Sequence, residues 1–166
     1  MPEICDEQQY RDAEVAAAGM LSRRPLSAAM LEQKLLDKGF APEAADYAVQ
    51  RMRLLRAIDD EAYAEMLIRS YRNKGYGAKR IRQELYQRGV PKDTAAQQLR
   101  NMEPNWEKMH ALLEKKLRGD VSDRKQREKA MAALQRRGFT FSEIKIAMDN
   151  YRAELQQQQE EEFYVD

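Results

Sequence analysis

The densest chemistry in the sequence lies between Arg69 and Val90. Arg69, Arg72, Lys74, Lys79, Arg80, Arg82 and Arg88 gather there around the break Gly75-Tyr76-Gly77. From residue 66 to residue 100 there are nine Lys or Arg against two acids, Glu84 and Asp93. Like charges at this density repel one another, and two carboxylates do little to relieve them. The cluster as a whole therefore fits a binding role better than a solvated helix face, whereas the glycines alone fit a simple chain turn. Tyr76 and Tyr86 interleave with the cations. As exposed rings they could stack on bases, and they would be equally at home in a protein interface. Two partner classes stay open on this evidence: nucleic-acid phosphates and an acidic protein surface.

Other reactive groupings are missing. His110 is the single histidine and sits between Met109 and Ala111 on an amphipathic stretch, which fits a surface or half-buried role. No phosphate loop, paired cysteine or His-Glu-x-x-His spacing occurs. Lys74-Gly75-Tyr76-Gly77 follows no apolar strand, so it is not a nucleotide-binding glycine pattern. Asp59-Asp60 suits a helix N-cap better than a metal site. The expectation is a non-enzyme with no metal and no cofactor.

The elements that must carry the patch are helical. The 166 residues contain only 7 Gly and 5 Pro, and 34% are charged. Ala, Leu, Met, Glu, Gln, Lys and Arg dominate, side chains that lose little rotamer freedom in a helix. A lone Cys5 excludes an internal disulfide and fits a reducing compartment. The acidic opening (Glu3, Asp6, Glu7, Asp12) is unlike a signal peptide, and no apolar run approaches a membrane span. A cytoplasmic monomer with no membrane contact is expected.

Three segments align on a glycine: Lys38-Gly39-Phe40, Arg88-Gly89-Val90 and Arg137-Gly138-Phe139. A leucine stands four residues before each (Leu35, Leu85, Leu134), and an apolar residue ten after (Val49, Leu99, Met148). Each glycine reads as a helix stop at φ > 0, with a cation before it and an apolar contact after it. The chain is thus a tandem of three three-helix repeats, over residues 1–57, 58–103 and 104–155. A polar acidic tail at 156–166 is expected to fray. Repeats of this kind predict an all-α, elongated, curved array. Ser27 is expected to N-cap the second helix, with Gly77 in the equivalent place of the second repeat. Thr140 and Glu143 have capping-box spacing. Expected buried stripes include Tyr47, Ala48, Met52 and Leu55, then Tyr63, Met66, Leu67 and Tyr71, then Trp106, Met109, Leu113 and Leu117. Charge follows the repeats: residues 1–65 carry net −5, 66–100 net +7, 107–152 net +5 and 153–166 net −5. A basic middle between acidic ends points to a charged partner.

The stretch Lys74-Gly75-Tyr76-Gly77-x-x-Arg80-Ile81-Arg82-Gln83-Glu84-Leu85-x-x-x-Gly89-Val90 resembles the central signature of the RecX family, regulators of the recombinase RecA. Ile58-Asp59-Asp60-Glu61-Ala62-Tyr63-Ala64 resembles the start of that family's second repeat. Leu21 to Phe40 is similar to the first repeat, and Lys115-Lys116, Lys125 and Arg136 to Phe139 to the third. The likeness spans about residues 13–151. It implies a non-enzymatic partner of the RecA–DNA filament that lies in the filament groove. It further implies damping of ATPase, strand exchange and co-protease activity, and hence of the SOS response. Carried over by position, Arg72, Lys74, Lys79, Arg80, Arg82 and Arg88 are contact candidates in the second repeat, and Arg69 and Tyr76 join them as members of the same patch. Lys115, Lys116, Lys125, Arg136 and Arg137 are those of the third. Ala28-Ala29 departs from the acidic residues common in the family. The alternative reading is a helical module that binds DNA directly through the same patch.

Overall fold

A computed structural model describes residues 6–165; Glu3, Cys5 and Asp166 lie outside them. Among the described residues there are nine helices and no strand: α1 (Glu7–Arg23), α2 (Ala28–Asp37), α3 (Pro42–Leu54), α4 (Asp60–Asn73), α5 (Ala78–Gln87), α6 (Lys92–Leu99), α7 (Trp106–Leu117), α8 (Arg124–Arg136) and α9 (Phe141–Val165). They form three consecutive sets of three, as the glycine alignment predicts. No described helix is long and apolar enough to cross a membrane.

Helix starts use side-chain oxygens to satisfy amides that have no partner within the helix. Ser27 accepts from the Met30 N–H at 3.2 Å, and Asp59 from the N–H groups of Glu61 and Ala62 at 3.0 and 3.1 Å. Thr140 and Glu143 close a reciprocal capping box, at 2.8 and 3.2 Å. The stops are equally regular. Gly39, Gly89 and Gly138 adopt φ of +97°, +75° and +94°. Behind each, the N–H of Phe40, Val90 or Phe139 donates to the carbonyl of Leu35, Leu85 or Leu134. The leucine four residues before each glycine therefore serves twice, as a buried side chain and as the acceptor of a Schellman closure.

The chain divides into two compact units, Met1–Leu67 with Glu84–Arg100, and Ile68–Gln83 with Asn101–Asp166. These cut across the repeats, because the middle repeat contributes residues to both. In the first unit α1 and α3 meet through alanines: Ala13 and Ala17 against Ala44, Ala45 and Ala48, with Leu31, Leu35, Val49 and Met52 around them. Small side chains let two helix backbones approach closely, and this rotates the buried stripe of α3. Tyr47 is consequently 39% exposed, and Leu55 is 58% exposed because α3 stops at Leu54 and leaves it as the C-cap, where the sequence pattern places both inside. Met66 is likewise 42% exposed, because α4 buries Tyr63, Ala64, Leu67 and Ile68 instead. In the second unit Met109, Leu113 and Leu117 of α7 pack with Ala130 and Leu134 of α8 and with Ile144, Met148 and Tyr151 of α9.

Residues 156–165 are helical, where the sequence suggests a frayed tail. Gln and Glu have good helix propensity, and Gln157 reaches Glu161 one turn on at 3.4 Å.

Candidate partner-binding surface

α4 ends on Arg69, Arg72, Asn73 and Lys74, and Gly75 turns the chain at φ +87°. The turn is a fourth Schellman closure, with the Tyr76 N–H donating to the Tyr71 carbonyl at 3.1 Å. It brings the Tyr71 and Tyr76 rings edge to face at 5.7 Å. From Gly77 the backbone runs directly against the glycine stop of the third repeat. The Gly77 N–H donates to the Arg137 carbonyl at 2.8 Å, and the Lys79 N–H to the Gly138 carbonyl at 3.2 Å. A Cβ on Gly77 would lie 2.5 Å from Gly138 carbonyl atoms, and a Cβ on Gly138 would lie 2.4 Å from the Arg80 nitrogen. Both glycines are required because backbone meets backbone with no room for a side chain.

This junction gathers the cations. Arg137 donates to the Lys74 carbonyl at 3.2 Å, and its guanidinium lies 5.4 Å from the Tyr76 ring centroid. Arg80 lies 5.8 Å from the same centroid, and the Lys74 ammonium 5.2 Å from that of Tyr71. Cation–π contacts of this kind contribute about 0.5–2 kcal/mol each, more as they are desolvated. Lys108, at the start of α7, packs its Cβ 3.3 Å from the place a Gly75 Cβ would take. It joins Lys74, Arg80 and Arg137 beside the turn, although sequence alone does not single it out. Nothing local flags Lys108, because its neighbours in the cluster lie at least 28 residues away in sequence.

The structure redistributes the other candidates. Tyr76 is half-buried beside Arg80 and Arg137, not a freely exposed stacking platform. Tyr86 is 41% exposed. Arg72 is half-buried and donates to the carbonyls of Glu103 and Pro104 at 2.6 and 3.3 Å, so it clamps the approach to α7. Arg88 belongs to the first unit, where its carbonyl accepts from the buried Ser27 hydroxyl. Arg69, Lys79, Arg82 and Arg136 are exposed. Lys115 and Lys116 close α7, and Lys125 opens α8 across the short loop that follows. Lys125 is 12 residues from Arg137, about 18 Å along the helix, so these three lysines mark the opposite end of the α7–α8 hairpin. The third-repeat cations thus form two groups, of which one touches the Tyr76 turn.

Chemically, the Tyr76 cluster offers several cations and aromatic faces on a backbone fixed by two inter-repeat hydrogen bonds. That is equipment for recognising carboxylates or phosphates.

Profiles of three RecX domains match in order: the first three-helix domain at residues 13–52, the second at 59–99 and the third at 103–148. The regulatory protein RecX of Vibrio parahaemolyticus is 34% identical over 135 residues, covering 80% of this chain and 87% of that protein. That of Xanthomonas campestris pv. campestris is 35% identical over 133 residues, covering 79% and 82%. That of Trichlorobacter lovleyi is 33% identical over 138 residues, covering 79% and 90%. The crystal structure of RecX from Lactobacillus salivarius superposes with a TM-score of 0.82 at 22% identity, over 88% of this chain and 98% of that one. A second crystal structure, of regulatory protein RecX, gives 0.76 at 25% identity, over 85% and 72%. With its three-helix domains matched in order and relatives of this identity aligned over most of their length, the chain belongs to the RecX family of regulatory proteins.

Proposed function

We propose that this protein is a non-enzymatic, cytoplasmic negative regulator of RecA that binds the RecA–DNA filament along its groove. It would lower ATP hydrolysis, strand exchange and co-protease activity, and so restrain the SOS response. Family membership supports the partner. The observation that carries the surface is the cation cluster around Tyr76, built by two repeats and fixed by the Gly77–Gly138 backbone contact. A tandem of repeats that meets several filament subunits sums weak contacts through multivalency.

The residues divide by role in this reading. Arg72 and Arg137 spend hydrogen bonds on the fold and position the surface. Lys74, Lys79, Arg80, Arg82, Lys108 and Arg136 are exposed and meet the partner. Arg69, Tyr76, Arg88, Lys115, Lys116 and Lys125 remain secondary contact candidates.

The test adds the protein at substoichiometric levels to RecA on single-stranded DNA. ATP hydrolysis and repressor cleavage should both fall, and Lys79→Glu with Arg82→Glu should abolish the effect without unfolding the chain. No inhibition by the unmutated protein sinks the reading. Direct DNA binding through the same patch predicts gel shifts without RecA and a steep salt dependence.

A further inference from the structure

Beyond Leu155, α9 leaves its core. Residues 156–165 are all exposed, and Phe163, Tyr164 and Val165 are 81%, 85% and 86% accessible. Glu160, Glu161 and Glu162 precede them, and the Phe163 and Tyr164 rings touch edge to face at 6.0 Å. Contiguous large apolar side chains at such exposure mark an interaction site.

The same unit holds an uncovered groove that suits this segment. A cavity of about 400 Å³ is lined by Met131, Phe139, Phe141 and Ile144, together with Lys79 and Glu128. Phe141 is itself 73% exposed. α8, which supplies Glu128 and Met131, carries five basic residues against the single acid Glu128, whereas residues 153–166 have net charge −5. Aromatic groove and aromatic pair, basic helix and glutamate run, are complementary.

They cannot meet within one copy. Phe141 and Phe163 stand on one unbroken helix, 22 residues and about 33 Å apart. We propose that the Glu160–Val165 segment of one copy docks, as a helix in a groove, against Met131, Phe139 and Phe141 of a second copy. Phe163 and Tyr164 enter the cavity, and the glutamates face the cations of α8. Groove and segment are different surfaces, so the contact is head-to-tail and does not stop at two copies. This inference is independent of the RecA reading and departs from the monomer expected from sequence.

Sedimentation velocity on the full chain, from about 1 to about 300 μM, tests it. The mean mass should rise with concentration and fall as salt is raised. A segment variant (Phe163→Ala with Tyr164→Ala) and a groove variant (Phe141→Ala) should each weaken association at least tenfold. All three side chains are exposed, and unchanged circular dichroism would show both variants folded. Mixed one to one, the variants share one intact groove and one intact segment, so the mixture should form dimers and nothing larger. A chain that stays monomeric at the highest concentration overturns the proposal. So does a segment variant that associates like the unmutated chain, or a mixture that stays monomeric.

Discussion

Gly77→Ala sets local helix chemistry against inter-repeat packing. Gly77 precedes α5 at the place Ser27 holds before α2, and by capping preference Ser there should be at least as good as Gly. The structure reverses this. An added Cβ would sit 2.5 Å from the Gly138 carbonyl carbon and oxygen and from the Phe139 nitrogen. All three are backbone atoms, so no rotamer change relieves them. Ordinary contact requires the strands of backbone to part by about 1 Å, which breaks the 2.8 and 3.2 Å bonds from Gly77 and Lys79. Overpacking of about 1–3 kcal/mol and two backbone hydrogen bonds at about 1 kcal/mol each give a loss of roughly 3–5 kcal/mol. At this chain length that lowers Tm by about 6–20 °C. Urea unfolding followed by circular dichroism measures it, and amide exchange at Lys79 localises it. Gly19→Ala is the control: its Cβ meets nothing within 4 Å inside α1, so it should stabilise by about 0.5–1 kcal/mol. If Gly77→Ala and Gly77→Ser leave stability unchanged while Gly19→Ala behaves as stated, the tight junction is wrong.

Arg137→Ala removes the bond to the Lys74 carbonyl and one cation from Tyr76, and should cost about 1–2 kcal/mol. Arg137→Lys should restore little of it, since an ammonium lacks the planar fork; exchange protection of the Tyr76 amide is the readout. Arg56 and Arg118 hold φ of +55° and +51°, so Arg56→Gly and Arg118→Gly should each raise stability by about 0.5–1 kcal/mol in thermal melts. Burial, and then the hydrogen-bonded Glu114, push the Tyr151 phenol above its usual value of 10.0. The unfolded chain therefore sheds this proton first, and the Tyr151 contribution is whole below pH 10 and lost as pH rises through the folded value. Tyr151→Phe should cost about 1–2 kcal/mol at pH 7, by losing the bonds to Glu114 and the Gly119 N–H. Its stability should then fall less steeply than that of the unmutated chain above pH 10.

Helix number, the three stops and the caps at Ser27, Asp59 and Thr140 were legible in the sequence because each is decided within about five residues. Leu35, Leu85 and Leu134, with the glycine and apolar residue after them, contain every atom of their own closures. The buried stripe of α3 was not legible, because alanines compete poorly with Tyr47 and Leu55 in any hydrophobicity count. Their advantage is the close approach of α1, a tertiary fact. The basic patch was visible as composition, but its division of labour was not. Arg72 and Arg137 look like contact residues until their carbonyl partners, 31 and 63 residues away, are known. The departure at Ala28-Ala29 sits against residues of the second repeat. The Ala28 N–H donates to Asp60 at 3.0 Å, and the Ala29 Cβ lies 2.6 Å from where a Gly89 Cβ would fall.

The two inter-repeat junctions obey one rule, which makes the three aligned glycines unequal. In the first unit the Ser27 hydroxyl donates to the Arg88 carbonyl beside Gly89; in the second, the Gly77 N–H donates to the Arg137 carbonyl beside Gly138. The acceptor is each time a carbonyl at a helix end, a group the helix itself leaves without a partner. The cation–glycine pair thus stops one helix and receives the start of another. Lys38-Gly39 has the same local chemistry but receives no helix start, and a Cβ on Gly39 meets nothing within 4 Å among the described residues. Asn tolerates left-handed backbone, so Gly39→Asn should cost no more than about 1 kcal/mol. At Gly89 the new Cβ would stand 2.6 Å from that of Ala29, and at Gly138 it would stand 2.4 Å from the Arg80 nitrogen. Gly138→Asn, which faces backbone, should therefore cost at least about 3 kcal/mol, with Gly89→Asn between the two. Equal melting temperatures for the three variants would mean that the glycines only end helices, and that the repeats are joined by something other than this contact.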